Sequence, residues 1–239
     1  MSKGIVISLY DYTGEALKPW AMNGYECYAF DIQHTSNPME WFYGDDGVYG
    51  NIRYRYADLH DVATHQKLFE EFNGKRVIFG MAFPVCTDLA VSGAAWFKRK
   101  EEANPGFQDK AAQHAIDCEH LFTNLGCPYF IENPVSVLAT KWRKPDYSFH
   151  PYEYGEYIPD DEAEHPRWPD YIAPKDAYTK KTCLWTSKSF RMPHRLPTCK
   201  PNGYSAQHLK LGGKSKRTKD IRSATPRGFA TAVYEFNRA

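Results

Sequence analysis

The feature that most constrains the fold is an alternation of short apolar runs with segments of helical spacing over the first 140 residues. Five apolar runs are predicted to be strands, at residues 4–10, 26–34, 52–58, 76–83 and 128–134. Between them, apolar residues at helical spacing predict helices over residues 16–25, 62–72 and 104–126. Strands that alternate with helices favour an α/β fold with a parallel sheet covered on both faces.

The pattern changes after about residue 140. Residues 141–205 are rich in Pro, Tyr, Trp and charge and have no sustained periodicity. They predict a small irregular insert over a site or a partner, in which residues 180–187 form one more strand. Residues 1–140 and 206–239 would then form the main domain and end in an amphipathic helix over 225–239. Residues 38–51 are interpreted as a loop.

Composition excludes several classes of protein. The net charge of the 239-residue chain is only +1, from 30 basic and 29 acidic residues, so no global field marks a nucleic-acid binder. Residues 210–222 are an exception, with six Lys or Arg and one acid. The six cysteines lack the spacing of a zinc site or a disulfide scaffold, and no apolar run reaches the ~20 residues of a membrane span. A reduced, cytoplasmic protein without a metal is expected.

Ligands of a parallel sheet gather at the carboxyl ends of its strands, where polar residues follow several of the predicted strands here. The turn from Tyr10 to Gly14 has one glycine, which makes a weak cradle for phosphates. Asp31 follows that turn by about twenty residues, the spacing at which such sheets bind ribose hydroxyls. Adenosine without pyrophosphate would need fewer glycines, which favours S-adenosylmethionine over NAD. A plain turn with a solvent-facing Asp31 is equally compatible with the spacing.

Asp58 follows the third predicted strand. Its carboxylate could accept a hydrogen bond from an adenine amino group, because an ionised carboxylate only accepts. A helix cap is the commoner role for such a residue, and either Asp58 or Asp61 suits it.

Cys86 lies two residues beyond Pro84, just past the end of an apolar run. A buried cysteine would normally lie within the run, whereas Thr87, Asp88 and Ser92 make these surroundings polar. Because a thiol reacts as the thiolate, such a position suits a nucleophile. An ordinary, partly buried thiol is the alternative, and on chemistry alone it is the more frequent one.

Glu132 directly follows the fifth apolar run, at the same predicted edge of the sheet as Cys86. Partial desolvation there would raise the pKa of the carboxyl and let it hold or donate a proton. An exposed charge at a strand end is the alternative. Together, the two groups suit addition of a thiolate to an electron-poor ring whose nitrogen the acid stabilises.

Five segments resemble, in order, the motifs of the DNA cytosine-5 methyltransferases, and they are most similar to short phage-encoded members. They are "SLYDYTGEALKPWAMNGYECYAFDI", "ADL", "AFPVCTDLAVSGAAWF", "FIENPVS" and "TPRGFATAV". The resemblance covers most of residues 4–140 and resumes at about 178–236, and its Pro-x-Cys and Glu-Asn-Pro elements are the most specific. It implies a Rossmann-like methyltransferase sheet, S-adenosyl-L-methionine as the donor, and a cytosine flipped out of duplex DNA.

The resemblance also implies roles for individual residues. Cys86 would attack carbon 6 of cytosine, and Glu132 would contact ring nitrogen 3 and the exocyclic amine. Lys181, or its neighbour Lys180, would supply a cation near the base.

The implied cofactor site combines strand ends with the last helix. The first turn would pass beneath the methionine part, Asp31 would hold the ribose, and Asp58 with Leu59 would flank adenine. The full expected set is Tyr10, Asp11, Tyr12, Thr13, Gly14, Asp31, Ile32, Asp58, Leu59, Pro84, Thr231, Ala232 and Val233.

The family places its DNA-reading region where residues 141–205 lie, and basic residues alternate with aromatic ones there. Residues 210–222 are expected to be a mobile basic stretch suited to phosphates. A solvated loop is the alternative for both segments. The expected DNA contacts are Ser92, Lys141, Arg143, Lys214, Lys216, Arg217 and Lys219.

Two departures from the family pattern leave alternatives open. Tyr12 stands where the family has a glycine, and one residue separates Pro84 from Cys86. A DNA-binding relative without catalysis, or a cytosine-modifying enzyme that transfers another one-carbon group, is therefore kept as an alternative. In the main hypothesis a monomer acts on double-stranded DNA in the cytoplasm, away from membranes.

Overall fold

The computed structural model describes residues 3–44, 47–203, 205–213 and 215–238. Its strands are β1 (Ile5–Leu9), β2 (Glu26–Asp31), β3 (Met39–Gly44), β4 (Gly47–Tyr56), β5 (Val77–Ala82), β6 (Tyr129–Pro134), β7 (Tyr147–Phe149) and β8 (Thr182–Thr186). Its α-helices are α1 (Lys18–Met22), α2 (Val62–Phe72), α3 (Phe97–Ala103), α4 (Phe107–Asn124), α5 (Leu138–Lys141), α6 (Ala206–Lys210), α7 (Lys216–Ser223) and α8 (Arg227–Asn237).

The strands form one 8-stranded sheet in the order β3-β4-β2-β1-β5-β6-β8-β7. The five central strands are parallel, whereas β3 and β8 run antiparallel to their neighbours. Numbered along the chain, the parallel strands have the order 3-2-1-4-5, which is compatible with a Rossmann-like sheet. The prediction of an α/β fold with a mostly parallel sheet is confirmed. The strand order reverses between β1 and β5, so a ligand crevice is expected at their carboxyl ends.

Helices cover both faces of the sheet. α2 and α4 pack on one face, in a cluster that includes Leu9, Phe72 and Phe122. α1 and α8 pack on the other, against Phe79 and Phe130. Successive side chains of a strand point to opposite faces, so Glu132, two residues after Phe130, points to the side of α1 and α8.

The five strands predicted before residue 140 are confirmed as β1, β2, β4, β5 and β6, and the strand predicted at 180–187 is β8. The interpretation of residues 38–51 as a loop is wrong, because β3 and the first half of β4 pair there as an antiparallel hairpin. Trp41, Phe42 and Tyr43 favour strand structure, whereas the glycines and aspartates that follow them favour a loop.

Residues 141–205 contribute β7 and β8 to the main sheet. The rest of this range is irregular, and its turn at Pro151–Tyr157 packs against α8. Asp176, in the same range, is buried, and its Oδ2 accepts a hydrogen bond of 3.0 Å from the backbone N–H of Gly228. The segment is therefore held firmly against the closing helix, which is confirmed as α8.

Residues 216–222 of the basic stretch that was expected to be mobile lie in helix α7. Ser215 caps α7 by accepting a hydrogen bond of 3.2 Å from the N–H of Thr218, and Thr218 and Ile221 are buried. A buried face of this kind orders a helix that charge alone would leave in solvent. Lys214 lies outside the described residues. None of the described helices combines the length and the apolar character that a membrane span requires.

Candidate active site

The loop that carries Cys86 is tied across the ends of β5 and β6. The buried side chain of Asn133 donates from Nδ2 to the carbonyl oxygen of Pro84, at 3.0 Å. The backbone N–H groups of Leu89 and Ala90 both donate to the carbonyl oxygen of Cys86, at 3.0 and 2.8 Å. The half-buried Cys86 therefore lies in a tight turn whose position depends on β6.

Glu132 lines a small pocket beneath this loop. The strand alternation that turns Glu132 toward α8 also turns Thr182 of β8 to the same side, two places from the buried Leu184. The pocket is bordered by Phe83, Glu132, Phe149, Lys180, Thr182 and Phe229, together with residues 223–226. Three phenylalanines form part of its wall, and its polar groups are an acid, a cation and hydroxyls.

Cys86, Glu132 and Lys180 form one electrostatic group. Burial raises the pKa of the Cys86 thiol, the charge of Glu132 raises it further, and the charge of Lys180 lowers it. Burial also raises the pKa of the Glu132 carboxyl, against the opposing effect of Lys180. Both acids therefore hold their protons more strongly than they would in water. The structure therefore brings the predicted nucleophile and the predicted acid within electrostatic range of each other.

The cation of this group is Lys180 and not Lys181. Lys180 Nζ donates to the carbonyl oxygen of Arg222 at 3.0 Å and lines the pocket beside Glu132. Lys181 is exposed, and its charge acts on the thiol of Cys183. The assignment of Lys181 to the site is thus corrected, because adjacent residues of an extended chain point to opposite sides. Lys180 shares its side with Thr182, a pattern that the sequence already contained.

The turn after β1 is held by internal hydrogen bonds. Tyr10 has a φ of 56°, in the left-handed region, and its hydroxyl donates to the carbonyl oxygen of Leu59 at 2.7 Å. The buried carboxylate of Asp11 accepts from the Ser8 hydroxyl at 2.8 Å and from the Gly14 N–H at 2.7 Å. Thr13 donates to the same carboxylate at 3.3 Å. Asp11 and Thr13 therefore shape the turn.

Gly14 needs to be glycine for two reasons. Its φ of 69° is left-handed, and a Cβ there would lie 2.5 Å from the hydroxyl oxygen of Tyr54. Both conditions oppose any side chain at this position.

The acids of the expected cofactor site follow β2 and β4. Asp31 is buried, and its Oδ1 accepts from the N–H of Gln33 at 2.8 Å. Asp58 accepts from the N–H of His60 at 3.1 Å, whereas Asp61 caps α2 by accepting from Ala63. The cap is therefore Asp61.

The charges of Asp31 and Asp58 both raise the pKa of the Tyr10 phenol, in addition to the larger effect of burial. The structure thus gathers the two acids around the first turn. Leu59 is buried beside them, whereas the side chain of Ile32 is 53% exposed.

Tyr12 carries a stack of side chains above the strand ends. Its ring packs on His34 with centroids 5.4 Å apart and an interplanar angle of 23°. Lys216 Nζ lies 4.6 Å from the centroid of the same ring. Lys216, expected to contact DNA, therefore borders the expected cofactor cleft.

The residues of α8 expected at the cofactor pocket have two kinds of surroundings. Ala232 and Val233 are buried in the core shared with α1. Thr231 borders a cavity of about 190 Å³, which Glu15, the residue after Gly14, and Lys18 also line.

Two basic residues expected to contact DNA are engaged within the protein. Arg143 pairs with Asp146 at 2.7 Å and with Glu119 at 3.3 Å, and it stacks on its neighbour Trp142. Lys141 pairs with Asp109 at 2.8 Å. Arg143 thus joins α4 to the strand-end region, a use that local sequence does not reveal.

The remaining DNA candidates lie on the surface. Ser92 is exposed in the turn Val91–Trp96, which follows the Cys86 loop. Arg217 lies over the ring of Tyr171, at 5.3 Å from its centroid, and Lys219 is exposed. Sequence reasoning missed Trp96, whose side chain is 59% exposed between Ser92 and a Lys-Arg-Lys run. Trp96 ends the short helical turn Val91–Trp96, in which no residue is buried, and this absence of a buried face could have indicated that its ring is exposed.

In the described part of the chain, no group of three or more His, Cys, Asp or Glu side chains could hold a metal ion. The chain matches no model of a known protein family, and a search of curated proteins also returns no match.

Proposed function

We propose that this chain is a DNA (cytosine-5) methyltransferase, with S-adenosylmethionine as the methyl donor. The observation that carries the proposal is the group of Cys86, Glu132 and Lys180: a thiol, an acid and a cation that act on one another electrostatically, two of which line one small pocket. Addition of sulfur to a pyrimidine would use a nucleophile, a proton donor and a cation of these types.

In the proposed reaction, Cys86 gives its proton to water, which returns one to the thiolate at the end of the cycle, and its sulfur bonds to carbon 6 of cytosine. Glu132 donates a proton to ring nitrogen 3, so the electrons of the ring collect at carbon 5 as an enamine. Carbon 5 then bonds to the methyl group, and the sulfonium leaves as the thioether S-adenosylhomocysteine. Loss of the proton from carbon 5 to water expels Cys86 as a thiolate, and nitrogen 3 returns its proton to Glu132.

Glu132 and Lys180 have opposite effects on the pKa of Cys86, which therefore have different consequences for the reaction. The resting thiol holds its proton, because burial and the charge of Glu132 disfavour the thiolate. While Glu132 is protonated it does not repel the sulfur, and the charge of Lys180 favours the thiolate. Sulfur addition is therefore favoured while the carboxyl still holds the proton that it later gives to ring nitrogen 3.

The fold supports a cofactor beside this group. In a sheet of this kind a ligand crevice is expected where the strand order reverses, between the Tyr10–Gly14 turn after β1 and the Cys86 loop after β5. Asp31 ends β2 and Asp58 follows β4, where carboxylates are suited to a ribose and an adenine. A base must leave the duplex to reach Cys86, at a cost of a few kcal/mol that surface contacts must offset. Ser92, Arg217 and Lys219 are exposed residues suited to that contact.

The direct test uses duplex DNA in which cytosine is replaced by 5-fluorocytosine. Wild-type protein with S-adenosylmethionine should form a covalent complex, because fluorine cannot leave carbon 5 as a proton does. Cys86→Ser should form none, whereas Cys199→Ser, which removes an exposed thiol, should react like wild type. Equal methylation of normal DNA by Cys86→Ser and wild type would exclude Cys86 as the nucleophile.

One observation favours a relative that binds DNA without catalysis: the ring of Tyr12, covered by Lys216, lies across the expected cleft. Calorimetry with S-adenosylmethionine separates the two functions, because the catalytic hypothesis requires binding. Mass analysis of the product base would reveal transfer of another one-carbon group.

A further inference from the structure

Lys216 is a basic residue whose contacts differ from those of its neighbours. Its ammonium lies over the ring of Tyr12, which in turn packs on His34. The contact with Tyr12 raises the pKa of Lys216, with smaller contributions from Asp220 and Asp31. The ammonium is therefore held in its charged form beside the turns that follow β1 and β2.

The position of Lys216 follows from how α7 is anchored. Ile221 of this helix is buried in a small cluster with Ile172 and Tyr178. The carbonyl oxygen of the adjacent Arg222 accepts the hydrogen bond from Lys180, and at the other end of the helix Ser215 accepts a hydrogen bond from the N–H of Thr218. Since both ends of α7 are held, its first residue is directed toward Tyr12 by the fold.

No ion pair neutralises this ammonium within the described residues. Four other lysines pair with carboxylates at 2.6–3.0 Å: Lys18, Lys100, Lys141 and Lys175. None of the ion pairs among the described residues involves Lys216. A charged ammonium that contacts an aromatic ring and makes no ion pair among the described residues is suited to a small anionic group that enters the crevice.

We propose that Lys216 binds the α-carboxylate of the amino-acid half of S-adenosylmethionine. The inference rests on the proposed function, in which the turn that contains Tyr12 passes beneath the methionine part of the cofactor. In that arrangement Asp31 binds the ribose of the cofactor, and the ammonium above Tyr12 lies toward its methionine part. Lys216 is then a cofactor-binding residue, separate from the phosphate contacts of Arg217 and Lys219.

The test compares two ligands that differ only in the carboxylate: S-adenosylmethionine and its decarboxylated form. Lys216→Gln should bind S-adenosylmethionine about tenfold more weakly than wild type, as expected for one charge-assisted hydrogen bond in partial contact with water. It should bind the decarboxylated ligand as wild type does. Lys216→Arg should recover most of the affinity, and Lys219→Gln, on the same helix, should bind both ligands as wild type does.

Equal weakening for both ligands in Lys216→Gln would overturn the proposal, as would unchanged affinities together with weaker binding of duplex DNA. The second result would identify a phosphate contact. Methylation by Cys86→Ser would contradict the proposed mechanism and leave the ligand comparison intact. Wild-type protein that is folded by circular dichroism but binds neither ligand would contradict both proposals.

Discussion

Asn133 Nδ2 donates a hydrogen bond of 3.0 Å to the carbonyl oxygen of Pro84. The two residues are 49 positions apart, and the bond joins the end of β6 to the loop after β5. Glu132 precedes the donor by one residue, and Cys86 follows the acceptor by two. This buried amide therefore helps to fix the relative position of the proposed acid and nucleophile, together with the backbone hydrogen bonds from Val137 to Leu89 and from Val91 to Val135.

Replacing Asn133 by Ala should loosen this arrangement. The substitution leaves a buried carbonyl without its donor, which should lower the free energy of unfolding by about 1–3 kcal/mol. It should also lower kcat for methyl transfer, because Cys86 loses its fixed position. Denaturant unfolding and single-turnover kinetics measure the two effects. Wild-type values in both would show that the loop is held by other contacts.

Glu132→Gln should make Cys86 more easily ionised. The negative charge of Glu132 raises the pKa of the thiol, so its removal should shift the pH profile of iodoacetamide alkylation to lower pH. Peptide mass analysis can follow Cys86 alone. The same variant should lose methyl transfer, since Gln has no acidic proton for ring nitrogen 3. A profile unchanged by the substitution would mean that the two groups do not interact.

Lys180→Gln should have the opposite effect. Lys180 lowers the pKa of Cys86, so its loss should move the alkylation profile to higher pH. Lys181→Gln is the matched control, because that side chain points toward Cys183 and should leave the Cys86 profile in place. Equal shifts in the two variants would contradict the orientation of this segment.

Asp176 should make stability depend on pH. Burial raises its pKa from 3.8 to about 6. The folded state thus favours the protonated carboxyl, and this stabilisation is complete below pH 4 and is lost as the pH rises through 6. The loss should approach about 3 kcal/mol, and Asp176→Asn should flatten that part of the curve. Denaturant unfolding from pH 4 to 7 measures it, and parallel curves would show that Asp176 titrates normally.

Local pattern was sufficient for much of the sheet. The runs that became β1, β5 and β6 are apolar, short and bounded by turn residues, so burial could be inferred without knowledge of their partners. Their alternation with helices also placed Cys86 and Glu132 at one edge. Strand β3 was missed because aromatic residues at an exposed sheet edge lack the apolar run of a central strand.

Contacts between distant segments were beyond local pattern. Arg143 reads as a DNA contact in sequence, yet it pairs with Glu119, 24 residues earlier. Lys216 belongs to a basic run, yet it lies on Tyr12, more than half the chain away. Charge and aromatic content reveal which side chains can interact, and the packing of α7 decides which of them meet.

By itself, the amino-acid order determined the layered α/β scheme and the strand ends at which polar chemistry lies. Both depend on the burial of neighbouring residues, which hydrophobic spacing encodes directly. Only the tertiary structure decided that Lys180 joins Cys86 and Glu132, that Asn133 secures their loop, and that α8 packs inward. Those outcomes depend on strand register and helix anchoring, which are properties of the packed chain as a whole.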